Sequence, residues 1–144
     1  MYPTQDQRHR FTDGGLSTAS GPKIIVMCYE RLDRDIAAAI EAFQTNDVQR
    51  SHDSLCHAQD LVHELRCMLD LDVWEHAAGL SSIYHYVGNL LVAANVKKSI
   101  PLAEEARRLL AELGDGFRQA AMTHRAEYAP QMVPSTQREF SAIA

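Results

Sequence analysis

The sequence predicts an all-α fold, namely an antiparallel up-down-up-down four-helix bundle with a flexible N-terminal arm and a disordered C-terminal tail. Three observations support this prediction. Apolar residues recur at spacings of three and four along four successive segments, which is the period of an α-helix. The 144 residues include only 7 glycines and 5 prolines, most of them near the two ends. Short polar breaks separate the segments, and helices joined by short turns must return antiparallel.

The first two helices are predicted from their start signals and their apolar stripes. The segment from Thr18 to Pro22 offers hydroxyl caps and a first-turn proline, which favours a helix from about 21 to 44. Residues 45–47 form a polar break with capping side chains, after which a second helix begins. The first stripe contains Ile25, Cys28, Leu32, Ile36, Ala39 and Phe43, and the second contains Val48, Ser51, Leu55, Ala58, Val62, Leu65 and Leu69.

The third and fourth helices are predicted in the same way. Asp72 and Glu75 resemble a capping box, so the third helix is expected to begin near Val73. Lys98 suits its negative C-terminal end, and residues 99–101 signal a new helix start. The third stripe contains Ala77, Leu80, Ile83, Tyr84, Val87, Leu91 and Ala94, and the fourth contains Leu102, Ala106, Leu109, Leu110, Leu113 and Phe117.

The helices define one domain between two polar ends. Residues 1–17 are expected to be a flexible arm that carries two isolated apolar residues, Phe11 and Leu16. Residues 18–124 form the predicted bundle. Residues 125–144 contain prolines and a Ser, Thr and Gln mixture without amphipathic period, so a disordered tail is expected there.

Charge and composition exclude several classes of function. A formal net charge of −5 at pH 7 argues against nucleic acid as a partner, because phosphate binding needs a clustered basic surface. The three cysteines lack CxxC spacing, which fits a reducing cytosol better than a disulfide framework or a zinc ribbon. Neither a signal sequence nor a long apolar run is apparent, so we expect a cytosolic protein without membrane insertion.

Metal-ligating side chains occur in pairs that do not complete a site. Asp60 and His63 form only half of the motif that a di-iron bundle needs. Two (i, i+4) pairs, His52 with Cys56 and His63 with Cys67, could each chelate a soft metal, but zinc requires more ligands. We therefore expect no metal, no cofactor and no enzymatic activity, since phosphate-binding and nucleophile motifs are also missing.

Two alternative functions are compatible with a four-helix bundle. Histidine phosphotransfer domains share the fold, and His52 and His57 are candidates for a phosphorylated imidazole. The residues that follow these histidines are acidic where a receiver-binding lysine is wanted. The second alternative is an adaptor for some other protein partner.

The predicted third helix carries more apolar residues than a bundle core requires. Those outside its stripe are Trp74, Ala78, Tyr86, Leu90, Val92, Ala93 and Val96. One interpretation is that this helix is central or is covered by the two ends of the chain. The other is that it lines a groove for an amphipathic helix or extended segment of another protein. In that case Phe11 and Leu16 could occupy the groove until a partner displaces them.

Three stretches, in order along the chain, carry a family resemblance. They are residues 18–29, Thr-Ala-Ser-Gly-Pro-Lys-Ile-Ile-Val-Met-Cys-Tyr; residues 57–65, His-Ala-Gln-Asp-Leu-Val-His-Glu-Leu; and residues 83–95, with Ile-Tyr-His-Tyr followed by Leu-Val-Ala-Ala-Asn. Together they resemble the FliS flagellin chaperones over about residues 11–122. The sequence departs from the family pattern at Phe11, where a tyrosine is usual, at the shifted Pro22, and at Cys28, which replaces a leucine.

The resemblance implies a function and a set of site residues. It implies a chaperone that binds the disordered C-terminal segment of flagellin, prevents premature polymerisation and delivers its cargo to the flagellar type III export apparatus. It also implies a plug role for Phe11 and matches Tyr29, Tyr84 and Tyr86 to family tyrosines, for which the core and the groove are both open as locations. Adding the arm and the apolar surplus, the candidate plug and groove residues are Phe11, Leu16, Tyr29, Tyr84, Tyr86, Leu90, Ala93 and Val96. A homodimer of the free protein is left open.

Overall fold

The computed structural model of the protein describes residues 21–143, with side chains described for residue 21 and residues 23–123. These residues form four helices and contain no strand. The helices are α1 (Gly21–Gln44), α2 (Val48–Cys67), α3 (Ala77–Lys97) and α4 (Ile100–Ile143). The predicted all-α class and the number of helices are confirmed.

The four helices form a ring in which each packs against its neighbours in the chain and α4 returns to α1. Cross-helix contacts show antiparallel directions. Glu41 of α1 meets Arg50 of α2, whereas the earlier Asp35 meets the later His57. Asp33 of α1 binds Arg107 of α4, whereas the earlier Tyr29 meets the later Phe117, so α4 is antiparallel to α1. The arrangement is therefore the predicted four-helix bundle. We call the end with residues 45–47 and 98–99 the turn end, and the end with residues 68–76 and the start of α1 the arm end.

The turns at the turn end have the capping chemistry that the sequence predicts. Asn46 adopts a left-handed conformation with φ 55°, which closes α1 and lets the amide of Asp47 reach the carbonyl of Ala42. The Asp47 carboxylate then accepts a hydrogen bond from the amide of Arg50 at the start of α2. At the other turn Lys98 has φ 51° and ends α3.

The predicted start of α3 is wrong. The helix begins at Ala77, and its cap residue His76 makes no side-chain capping bond. The amide of Asp72 instead donates to the carboxylate of Asp70, and the amide of Trp74 reaches the Asp70 carbonyl, so these residues form turns. A capping box is a local pattern, and here a competing turn centred on Asp70 prevails over it.

The core lies along the bundle axis and contains the predicted apolar stripes. Its fully buried side chains include Leu32 and Ile36 from α1, Leu55 from α2, and Val87 and Leu91 from α3. Some stripe members lie at its edge or outside it: Ile25, Cys28, Phe43, Leu69, Leu102, Leu109, Leu113 and Phe117 are half-buried, and Val48 and Ile83 are exposed. The stripes therefore identify most of the core but overestimate its width.

The backbone of α4 stays helical to Ile143, through the segment for which the sequence predicts a disordered tail. Phe117 is the last residue of α4 that packs against the core cluster among the described side chains. The boundaries of the arm, bundle and tail stay predictions.

Candidate binding groove

An open groove of about 430 Å³ lies between α3 and α4. These two helices make the least extensive contact of the four neighbouring pairs. The groove is lined by Ser82, Ile83 and Tyr86 from α3 and by Leu109, Glu112 and Leu113 from α4. Because the helices separate here, apolar side chains that a tighter pair would bury remain accessible.

The lining consists of an apolar floor on α4 and an apolar wall on α3. Leu109 and Leu113, one helical turn apart on α4, are half-buried and pack against the core. Ile83 and Tyr86, one turn apart on α3, are 39% and 50% exposed. Such a surface, rigid beneath and apolar above, suits an amphipathic helix with apolar residues at spacings of three and four.

The rim of the groove carries acidic groups. The Tyr86 hydroxyl donates a 2.8 Å hydrogen bond to Glu105 Oε1, which raises the pKa of the phenol because the carboxylate favours the protonated form. Glu112 forms an ion pair with Arg108 at 3.2 Å. The groove therefore combines an apolar lining with one carboxylate at its edge, Glu105, that forms no ion pair with the described side chains.

Two comparisons with known proteins bear on the identity of the chain. The sequence model of the family described as Flagellar protein FliS matches residues 4–124, which is most of the chain. The chain belongs to the FliS family. It is also similar to a Bacillus subtilis (strain 168) protein named flagellar secretion chaperone FliS, at 25% identity over 115 residues that cover 80% of this chain and 86% of the relative. The FliS family is one of flagellar export chaperones and not of enzymes.

The FliS-type tyrosines are divided between the core and the groove. Tyr29 and Tyr84 are buried, and their hydroxyl groups lie 2.6 Å apart, which links α1 to α3 inside the bundle. Burial raises the pKa of both phenols. Tyr86 alone of the three lines the groove. Tyr29 and Tyr84 therefore satisfy each other in the core, as buried phenols require.

The other predicted site residues are placed in different environments. Leu90 is buried in the core and Ala93 is half-buried. Val96 is 76% exposed near the turn end of α3, and neither it nor Ala93 lines the groove. Phe11 and Leu16 lie outside the described residues. Of the eight candidates, Tyr86 alone is in the groove among those that the structure describes.

Sequence reasoning missed most of the groove lining. Ile83, Leu109 and Leu113 were assigned to the core stripes, and Ser82 and Glu112 carried no signal. One signal was present, because Leu109 and Leu110 are adjacent and the fourth stripe is therefore wider than one packing partner needs. Leu110 is buried whereas Leu109 faces the groove, so the extra width marks the open flank.

The apolar surplus of the third segment is partly exposed among the described residues. Trp74, Val92 and Val96 are exposed together with Tyr86, whereas Leu90 belongs to the core. Trp74 precedes the helix and lies in residues 68–76, near the exposed Leu71 and Val73 at the arm end. Apolar surface therefore continues beyond the groove.

The face between α2 and α3 is polar and holds the histidine and cysteine pairs. Cys56 Sγ lies 3.6 Å from His52 Nε2, and Cys67 Sγ lies 3.5 Å from His63 Nε2. Asn95 bridges the two helices through a 2.9 Å contact with His52 Nδ1. Within the described residues, these side chains and their neighbours form no group of three or more that could hold a metal ion.

The two histidines of the phosphotransfer alternative are engaged in contacts within the bundle. His57 Nδ1 is bound to Asp35 of α1, and His52 contacts Asn95 and Cys56. No observation here favours phosphotransfer.

In the described part of the chain, no helix combines the length and the apolar character that are needed to cross a membrane.

Proposed function

We propose that the protein is a cytosolic flagellar export chaperone that binds the disordered C-terminal segment of flagellin. Binding would keep that segment from polymerising early and would present it to the flagellar type III export apparatus. The observation that carries the proposal is the apolar groove between α3 and α4, which lies inside the part of the chain that matches the FliS family.

The lining of the groove suits a bound helix. Its wall and its floor each offer two apolar side chains one turn apart, so it fits apolar residues at positions i and i+3 or i+4 of a bound helix. A disordered segment would gain helix on binding and would lose conformational entropy at the same time. Coupled folding therefore gives a large interface with modest affinity, which suits cargo that must be released.

The test is a calorimetric titration with a peptide of the last ~40 residues of a flagellin from the same organism, with circular dichroism recorded in parallel. We expect one-to-one binding, a negative heat-capacity change and a gain of helix. No binding at tens of micromolar would contradict the proposal and would favour an adaptor for another partner.

Variants locate the binding surface. Tyr86→Ala and Ile83→Ala remove the apolar wall of the groove, so each is expected to weaken binding by roughly 5- to 30-fold, as for interface anchors worth about 1–2 kcal/mol. Val48→Ala is the matched control, because Val48 is exposed on α2 at the turn end and does not line the groove. Equal loss in the control would contradict the groove as the site.

A further inference from the structure

We propose that Glu105 selects a basic side chain on the bound partner, so that the segment in the α3–α4 groove is an amphipathic helix whose apolar stripe is flanked by lysine or arginine. This inference rests on the proposed function, since it assigns the chemistry of the partner at the same groove. It concerns a residue that neither the apolar pattern nor the family resemblance points to.

Glu105 forms no ion pair within the described part of the protein. Its carboxylate accepts one hydrogen bond, from the Tyr86 hydroxyl, and no lysine or arginine among the described side chains forms an ion pair with it. Arg108, one turn along α4, is engaged with Glu112 instead. Glu105 is half-buried, and its carboxylate is less hydrated than a fully exposed one. An ion pair with a cation is therefore expected to stabilise it more than it would stabilise a fully hydrated carboxylate.

The position of this charge fits a bound helix. Tyr86 is both a wall of the groove and the donor to Glu105, so the carboxylate lies beside the ring at the edge of the groove. The Oε1 atom holds Tyr86, and Oε2 makes no hydrogen bond to the described residues. A lysine or arginine one turn from the apolar anchors of the partner could reach Oε2 while the anchors contact Ile83 and Leu109.

Glu105 could instead act only by holding the Tyr86 ring in place. Glu105→Gln separates the two roles, because the glutamine amide oxygen still accepts the hydrogen bond from Tyr86 and only the charge is lost. Glu104→Gln is the matched control. It removes the same charge from the adjacent position, but Glu104 is exposed on the flank that carries Arg107, whereas Glu105 is bonded to the groove residue Tyr86.

The experiment measures binding of the flagellin peptide to the full-length protein and to both variants over a range of salt concentrations. Glu105→Gln is expected to weaken binding roughly five-fold at low salt, as for one partly exposed charge pair, and to flatten the salt dependence. Glu104→Gln is expected to bind as the unaltered protein does. Equal behaviour of the two variants would overturn the proposal, and thermal unfolding of each verifies that the fold is intact.

A second measurement keeps the test independent of flagellin. Two synthetic amphipathic helices share one leucine stripe, which is flanked by lysine in the first and by glutamate in the second. The protein is expected to prefer the lysine peptide, and Glu105→Gln is expected to reduce that preference. If the flagellin peptide fails to bind but this preference is found, the proposed function fails and the role of Glu105 stands. Absence of the preference overturns that role.

Discussion

The buried tyrosine pair gives a prediction whose size follows from the structure. Tyr29 and Tyr84 are 3% and 2% exposed, and their hydroxyl groups form a 2.6 Å hydrogen bond between α1 and α3. Replacing either residue with phenylalanine leaves the other hydroxyl buried without this partner. An unsatisfied buried hydroxyl costs about 1–3 kcal/mol, whereas removing both members of a pair is close to neutral.

We therefore expect Tyr29→Phe and Tyr84→Phe each to lower the free energy of unfolding by roughly 1–3 kcal/mol. The double variant should lose no more than the worse single variant, so the two effects should be coupled by at least about 1 kcal/mol. Tyr86→Phe is the control, because its phenol is exposed and its removal should change stability by less than about 0.5 kcal/mol.

The assay is urea unfolding followed by circular dichroism for all four proteins and the control. A coupled pair is recognised when the sum of the single effects exceeds the effect of the double variant. If both single variants unfold at the same urea concentration as the unaltered protein, or if the effects simply add, the argument from an unsatisfied hydroxyl is refuted.

The same pair fixes the direction of a pH effect. Burial raises the pKa of both phenols above the ordinary value of 10.0, so the unfolded chain ionises first as pH rises. The stability that the pair provides is thus fully present below about pH 10 and declines above it. Burial, and secondarily the charge of Glu64, also raises the pKa of the Cys28 thiol, so the comparison is best made in a Cys28→Ala background. A double phenylalanine variant should then show the shallower alkaline decline.

Three further predictions concern other parts of the chain. Gly116→Ala should raise the free energy of unfolding by up to about 1 kcal/mol, because an added Cβ meets nothing within 4 Å. Gly114→Ala should raise it by less, since its Cβ would lie 3.4 Å from Tyr29. Thermal unfolding of both variants checks this order, and the reverse order would contradict it. Asp33→Asn should lower the free energy of unfolding by at most about 1 kcal/mol at neutral pH. Hydrogen bonds from Arg107 lower the pKa of Asp33, so the difference from the unaltered protein should vanish as the pH falls through that pKa. A difference that does not change with pH would argue against this ion pair. Phe11→Ala should increase binding of a hydrophobic dye if the arm covers apolar surface, and unchanged binding would count against such a cover.

The helices that the sequence predicts most accurately are those with clear local boundaries. α1 begins with Gly21 and ends at Gln44 as expected, because a first-turn proline and the polar residues after Phe43 determine both ends locally. α2 starts where Asp47 can cap it. The start of α3 was missed because two acidic residues, Asp70 and Asp72, compete for the same turn, and sequence spacing does not show which one prevails.

The groove could be predicted only as an excess of apolar residues. Periodicity shows that Tyr86 lies outside the core stripe, but it does not show which neighbouring helix a flank will face. That choice depends on the distance between α3 and α4, which is set by contacts along their whole length. Leu90 and Ile83 are both apolar residues of α3, yet Leu90 is buried and Ile83 lines the groove, because they face different neighbouring surfaces. The acidic rim depends on a contact between residues 86 and 105 that no local pattern indicates.

The unequal connections between the helices have a consequence for local opening of the bundle. The turn end is closed by residues 45–47 and 98–99, with capping bonds at both turns. At the arm end, residues 70–76 are exposed and α3 starts without a side-chain cap. Amide hydrogen exchange should therefore be slow at the turn end and progressively faster toward the arm end. Local opening is then expected first at the connection between α2 and α3, and the turn end can stay folded while it occurs.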